Sequence, residues 1–338
     1  MARALVTGIT GFAGRHLARA LGEDAHELFG LVRHAASPPG QPSPGSWSVP
    51  ARDRAEDDAG FTPIVGDISE RASLERAFLE CRPDWIFHLA GRAFVPESWE
   101  RPEEHLLVNL LGTLNVLEAA RRAAAGARIV LAGSGEVYGF SVQSGVPVDE
   151  QTLCQPSTPY AVSKLAADLL GLDYHRRYGL QVVRLRLFNH TGPGQRADFV
   201  LPSFARQIAL IETGAAPPRI SVGDLDVERV FTDVRDVARA YVAAARGGQA
   251  GACYNVGRSP SYRVRELLGK LLARARVAIE IVVDPARLRP GQVRSIECDP
   301  RRFMGDTGWA PAVPIDRTLE DLLDHWRRQA AQGEEKDR

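Results

Sequence analysis

Six short apolar runs punctuate the first part of the chain: Arg3-Ala-Leu-Val-Thr7, Glu27-Leu-Phe-Gly-Leu-Val-Arg33, Phe61-Thr-Pro-Ile-Val-Gly-Asp67-Ile68, Trp85-Ile-Phe-His-Leu-Ala90-Gly91, Ala127-Arg-Ile-Val-Leu-Ala132 and Leu180-Gln-Val-Val-Arg-Leu-Arg-Leu-Phe188. Runs that stay apolar without alternating read as strands covered on both faces, the habit of parallel sheets. Between them apolar positions recur at helical spacing. Leu17, Ala18, Ala20 and Leu21 follow the first strand, and Leu106, Leu107, Leu110, Leu111, Leu114 and Leu117 fall between Pro102 and Ala125. The second set occupies more than one helical face, so that helix is expected to be buried on two sides. Strand and helix in alternation predict an α/β fold with a doubly wound parallel sheet. Residues 34 to 60 carry prolines and a charged run without periodicity, and read as a long loop.

Candidate chemistry sits at the ends of these runs. Gly8-Ile-Thr10-Gly11-Phe12-Ala13-Gly14 joins the first strand to the first helix. A glycine-rich turn there lets backbone amides approach a pyrophosphate at the positive end of the helix. Ser134 follows the fifth strand, at the edge where open parallel sheets bind ligands. Tyr160 and Lys164 share one helix face at i and i+4, behind Ser157-Thr158-Pro159, a cap candidate followed by the proline favoured in a first turn. An ammonium beside a phenol favours the phenolate, so Lys164 is expected to draw the tyrosine pKa down from about 10 toward neutrality. His88, inside an apolar run, reads as a core histidine.

With the glycine turn opening a strand-turn-helix, Ser134, Tyr160 and Lys164 resemble the extended short-chain dehydrogenase/reductases that act on nucleotide sugars, over essentially the whole chain. The resemblance implies a Rossmann-type sheet over residues 1–188, rejoined by 225–256. A smaller substrate lobe would be built from 189–224 and 257–330, and 331–338 would form a disordered tail. It implies acid/base chemistry by Tyr160, tuned by Lys164 and helped by Ser134, with Glu136 a candidate base. Cofactor contacts are implied at Gly8, Thr10, Gly11, Phe12, Ala13 and Gly14, at Asp67 and Ile68 for the adenine, and at Leu89, Ala90 and Gly91. Further contacts are implied at Tyr160, Lys164, Leu187, Asn189 and His190. At the end of the second strand Arg33 stands where an acid would select NAD, which favours NADP(H) and leaves NAD(H) possible. Asn189, Val200, Arg229 and Arg289 are the implied substrate contacts, the two arginines as clamps for a diphosphate.

Asn189-His190-Thr191-Gly192-Pro193-Gly194-Gln195 resembles the group of GDP-mannose 4,6-dehydratase and the 4-keto sugar reductase that follows it, the last five residues resembling the reductase. The implied reaction is reduction of a nucleotide-linked 4-keto-6-deoxyhexose, with GDP-4-dehydro-6-deoxy-D-mannose going to GDP-D-rhamnose. A dehydratase or epimerase is the alternative, and a non-catalytic NADP(H) sensor is a third reading, which the intact serine, tyrosine and lysine disfavour. The matching stretch in the dehydratases carries a hydroxyl residue, an aspartate or serine, and a glutamate. Here it is Ser134-Gly135-Glu136. The leucine-rich helix, with Leu165, Leu169 and Leu172 of the tyrosine helix, is expected to build the two-fold four-helix homodimer interface common among these enzymes.

Composition removes other classes. Lysine plus arginine equals aspartate plus glutamate, 42 against 42, in 338 residues, so no nucleic-acid or membrane-surface partner is expected. A strand at residues 3 to 7 and the lack of an apolar run of about 18 residues predict a cytoplasmic protein. Cys81, Cys154, Cys253 and Cys298 are isolated, without C-x-x-C spacing, so reduced thiols and no metal site are expected.

Overall fold

A computed structural model of the chain describes residues 1–24, 26–33, 60–288 and 293–334. Nearly all of the expected loop over 34–60, the candidate clamp Arg289 and the last four residues of the expected tail lie outside them. The chain lays down β1 (Arg3–Thr7), α1 (Phe12–Glu23), β2 (Glu27–Val32), β3 (Thr62–Val65), α2 (Arg71–Cys81) and β4 (Trp85–His88). Two single turns, α3 (Glu97–Glu100) and α4 (Pro102–His105), lead through a π-helical turn at Leu106–Leu111 into α5 (Gly112–Ala123). Then come β5 (Arg128–Ala132), a 3-10 turn at Gly135–Tyr138, α6 (Pro159–Tyr178) and β6 (Gln181–Leu187). The remainder holds β7 (His190–Thr191), α7 (Val200–Glu212), β8 (Arg219–Val222), β9 (Glu228–Arg229), β10 (Thr232–Asp233), α8 (Val234–Gly247) and β11 (Cys253–Val256). It ends with β12 (Tyr262–Arg263), α9 (Val264–Leu272), β13 (Glu280–Val283), α10 (Arg301–Thr307) and α11 (Ile315–Glu334).

Seven strands form one sheet in the order β3-β2-β1-β4-β5-β6-β11, with every neighbouring pair parallel. The non-alternating runs are explained by what covers them. Ala4, Val6, Phe87, Val130 and Val183 face α1 and α8, while Leu5, Ile86, Ile129, Leu131 and Val182 face α2, α5 and α6. Both faces are therefore dry, as continuous apolar strands require. The winding reverses between β1 and β4, whose ends lie level with Thr7 beside His88. That reversal opens a crevice at the carboxyl edge of the sheet.

A separate apolar cluster joins α7, α9 and α11, with Leu201, Phe204, Ile208, Leu267, Leu271, Leu319 and Leu322 buried together. Of the segment 225–256, α8 and β11 return to the sheet, whereas Leu225, Val227 and Phe231 pack in this second core. Helix α11 runs to Glu334, into the segment expected to be disordered. Ala330, Ala331 and Gln332 are good helix formers that simply prolong a helix already anchored by Leu319, Leu322 and Leu323.

Candidate active site

The glycine turn sits where the winding reverses. Gly8 has φ +76°, and a side chain there would meet the Ala90 amide nitrogen at 2.7 Å. At Gly14 it would collide with the Gly8 carbonyl. Only glycine permits β1, α1 and the end of β4 to come this close. Gly11 caps α1 without a side chain, and no carboxylate stands in the first turn of that helix. The amides of the helix end are thus left to an external anion, which fits the phosphates of a dinucleotide. Thr10 and Gly11 are exposed on this turn, and Phe12 and Ala13 are partly so.

The segment after β6 is laid over the same helix. His16 donates its Nε2 proton to the Pro193 carbonyl (3.0 Å), Arg15 donates to Gly194 O (3.3 Å), and the His190 ring lies parallel to Phe12, 4° from coplanar, with centroids 6.0 Å apart. Asn189 is exposed between them, its carbonyl accepting from the Thr232 amide (3.0 Å). Leu187 points into the core below. Arg33 is exposed at the end of β2. Asp67 is engaged by its own turn, accepting from the Ser69 amide and hydroxyl, both at 2.8 Å, and Ile68 packs over Gly112.

Ser134, Tyr160 and Lys164 are brought to one place by two local devices. Ser134 caps the 3-10 turn, its Oγ accepting from the Glu136 amide at 3.2 Å. Thr158 caps α6, accepting from the Ala161 amide at 3.0 Å, with Pro159 in the first turn. The Ser134 hydroxyl hydrogen-bonds the Tyr160 phenol, Glu136 stands close enough to act on the same phenol, and Lys164 Nζ donates to Ala132 O at 2.8 Å. Lys164 also reaches Gly91, where an added side chain would meet Nζ at 3.4 Å and Asn109 Oδ1 at 2.9 Å.

The electrostatics differ from the sequence expectation. Burial pushes the Tyr160 pKa up to about 12, the Ser134 hydrogen bond opposes it, and the Glu136 charge adds to the rise. Lys164 gives its ammonium to the Ala132 carbonyl, and burial draws its own pKa down to about 8. The depressed tyrosine pKa is therefore corrected: desolvation penalises the phenolate, and the lysine is spent on a backbone carbonyl. A protonated phenol at neutral pH is a proton donor.

The arginine clamp is also qualified. Arg229 donates to the carbonyls of Glu228 (2.8 Å), Val293 (2.6 Å) and Arg294 (3.2 Å), so its guanidinium holds residues 293–294 against β9. Val200 opens α7 and is 37% exposed. Sequence reasoning missed Asn109, whose buried carboxamide accepts from the Arg92 amide (2.8 Å) and donates to Arg92 O (3.1 Å) and Ser163 Oγ (3.0 Å). The signal was there: an asparagine amid leucines is out of place in an apolar helix. His105 was missed too. It is fully buried, edge-on to the Tyr160 ring at 6.1 Å.

A phosphate-ready glycine turn at the switch point, beside a serine bonded to a tyrosine one helical turn before a lysine, defines the class: extended short-chain dehydrogenase/reductases. Comparison narrows it. A family model described as GDP-mannose 4,6 dehydratase matches residues 5–322, and the chain belongs to that family. It is 38% identical to GDP-6-deoxy-D-mannose reductase of Pseudomonas aeruginosa over 324 residues, covering 96% of this chain and 97% of that one. Among solved structures it resembles RMD from Pseudomonas aeruginosa complexed with NADPH (TM-score 0.81, 36% identity, 97% of this chain and 100% of that one). It also resembles Thermus thermophilus UDP-glucose 4-epimerase in complex with NAD (TM-score 0.79, 31% identity, 96% and 99%).

Proposed function

We propose that this chain reduces the C4 keto group of a nucleotide-linked 4-keto-6-deoxyhexose, with GDP-4-dehydro-6-deoxy-D-mannose as substrate and GDP-D-rhamnose as product. Its similarity to GDP-6-deoxy-D-mannose reductase supports the substrate class. A bound nicotinamide supplies the hydride, and the glycine turn with the bare α1 terminus holds its phosphates. Tyr160 gives the proton to the carbonyl oxygen, Ser134 hydrogen-bonds that oxygen, and Lys164 holds the nicotinamide ribose. NADP(H) is favoured by Arg33 at the end of β2 and by likeness to the NADPH complex, and NAD(H) stays open through likeness to the epimerase. Asn189, Val200, Arg229 and Arg289 remain the proposed substrate contacts, Arg229 after releasing residues 293–294.

Gly135 carries the choice of reductase over dehydratase. Dehydration needs a base for the C5 proton and an acid for the C6 hydroxyl besides the tyrosine. Glu136 offers one such group, and position 135 offers none. The space is tight as well, since an added Cβ at Gly135 would stand 3.1 Å from three atoms of the buried Phe188 ring. Glu136 beside the phenol is the observation that favours the alternative, a dehydratase or epimerase. The test supplies GDP-mannose with NADP⁺, expected to give no 4-keto product, and then the 4-keto sugar with NADPH, expected to consume NADPH stoichiometrically. Dehydration of GDP-mannose without net cofactor turnover sinks the reductase reading.

The same reading includes a homodimer. Leu106, Leu107 and Leu111 of the π turn and Val162 and Leu169 of α6 are exposed, Leu107 at 55% and Leu169 at 53%. Such an apolar face is stabilised by a second copy. Leu165 is not part of it, for it packs against the small core around Tyr138. Sedimentation as a monomer at micromolar concentration would exclude the dimer. Four free cysteines, three of them buried, agree with a cytoplasmic, reducing setting. Among the described residues no helix is long and apolar enough to cross a membrane.

A further inference from the structure

The helical stretch from α4 to α5 opens into a π turn at Leu106–Leu111, and a buried chain of hydrogen bonds passes through it. Thr113 donates its hydroxyl proton to the Asn109 carbonyl at 2.6 Å, four residues back. A threonine that bonds back in this way loosens the regular helical ladder. Having given its proton away, the hydroxyl can only accept from His88 Nε2, 3.1 Å distant. The ring proton then resides on Nε2, and Nδ1 accepts from the Thr7 hydroxyl at 2.8 Å. Thr7 Oγ1 in turn accepts from the Ala90 amide at 3.2 Å.

Both ends fix the direction of this chain. The Ala90 amide can only donate and the Asn109 carbonyl can only accept. Every hydrogen bond between them is satisfied in one arrangement, with His88 neutral and in a single tautomer. A protonated ring would set two donors against Thr7, whose own proton would then lack an acceptor. Burial, reinforced by the Lys164 ammonium, pushes the His88 pKa down to about 3 and keeps the ring neutral.

The elements tied together are those of the site. Thr7 precedes the glycine turn and Ala90 abuts Gly8. Asn109 reaches Ser163, which donates to the Tyr160 carbonyl at 2.7 Å. We propose that His88, acting through Thr113, is a positioning residue: the one-way chain from Ala90 to Asn109 holds the π turn open. It thereby sets Asn109 against Gly91 and the first turn of the tyrosine helix. The kinetic part of its test rests on the reductase reading, and the structural part does not.

Thr113→Val keeps shape and removes the hydroxyl; Thr113→Ser keeps the hydroxyl. Each is compared with the parent by deuterium uptake over residues 106–113, by kcat and KM on the 4-keto sugar, and by circular dichroism as a check on folding. Thr113→Val is expected to raise uptake in the turn and lower kcat by about 10- to 100-fold, the effect of misplacing a site by about 1 Å, with KM little changed. Thr113→Ser is expected to stay near the parent. In the unmutated protein, nitrogen NMR of His88 should report a neutral ring protonated at Nε2 from pH 6 to 9. Parent-like uptake and kcat in folded Thr113→Val, an equal loss in Thr113→Ser, or a proton on Nδ1 would overturn the proposal. If the parent itself ignores the 4-keto sugar, the reductase reading fails, and uptake with the tautomer decides the positioning role alone.

Discussion

Helix α6 carries two ionisable groups one turn apart, and they are handled in opposite ways. Lys164 reaches the bottom of the crevice with a backbone carbonyl as its hydrogen-bond acceptor, and burial holds its ammonium near 8. Asp168, on the next turn, receives Arg184 at 3.1 Å and Arg186 at 2.9 Å, with all three side chains buried. From there Arg186 donates to the Tyr138 hydroxyl (3.1 Å) and Tyr138 to Asn255 (2.6 Å), linking α6 to the 3-10 turn below Ser134 and to β11. A charge buried without a counter-charge is poised to change state near neutral pH. A charge buried among partners stays fixed and ties elements together. One helix therefore presents its titratable groups to the crevice from its first turns and secures its own seat with the next.

The largest effect that separates the two regions is on turnover. Tyr160→Phe should lower kcat by about two to four decades with NADPH affinity and folding nearly unchanged, because a positioned proton donor is lost and little else. Activity within a few-fold of the parent removes Tyr160 from the mechanism. On the anchored side, Asp168→Asn leaves two buried guanidiniums without a carboxylate and should cost about 3–5 kcal/mol in urea unfolding. A loss below about 1 kcal/mol would mean that the cluster is hydrated and anchors nothing.

An exposed charge gives a third point of reference. If Arg33 faces the 2′-phosphate of NADPH, Arg33→Ala should weaken NADPH binding by about 1.5–3 kcal/mol and leave NADH untouched, a difference read by calorimetry. Equal losses for both cofactors would assign the side chain another task.

A further effect is a pH dependence. The folded Lys164 pKa, about 8, lies below the 10.5 of a free lysine. Between those values the unfolded chain binds more protons than the folded one, so stability rises with pH through the window, and below it the buried ammonium is a standing cost. Relative to Lys164→Met, the cofactor-free parent should gain stability from pH 8 to 10.5. Parallel urea midpoints across that range would show a solvated amine.

Local pattern determined a great deal here. Continuous apolar runs are enough to call buried parallel strands, because a strand dry on both faces tolerates no alternation. The six runs called from the first part of the chain are β1 to β6. Glycine at positions 8, 11 and 14 and the Thr158-Pro159 cap are legible for the same reason, since each acts within a few residues of itself. What the tertiary structure decided concerns groups whose partners come from far along the chain. The Tyr160 phenol rises instead of falling because desolvation depends on everything packed around it, and Lys164 turns to a carbonyl that i+4 spacing cannot reveal. Arg229 spends its donors on residues 293–294, more than sixty positions away. Asn109 and His88 acquire meaning only when β1, β4 and the π turn meet, because a hydrogen bond's direction is set by both its ends, and the ends of that chain lie at Ala90 and Asn109.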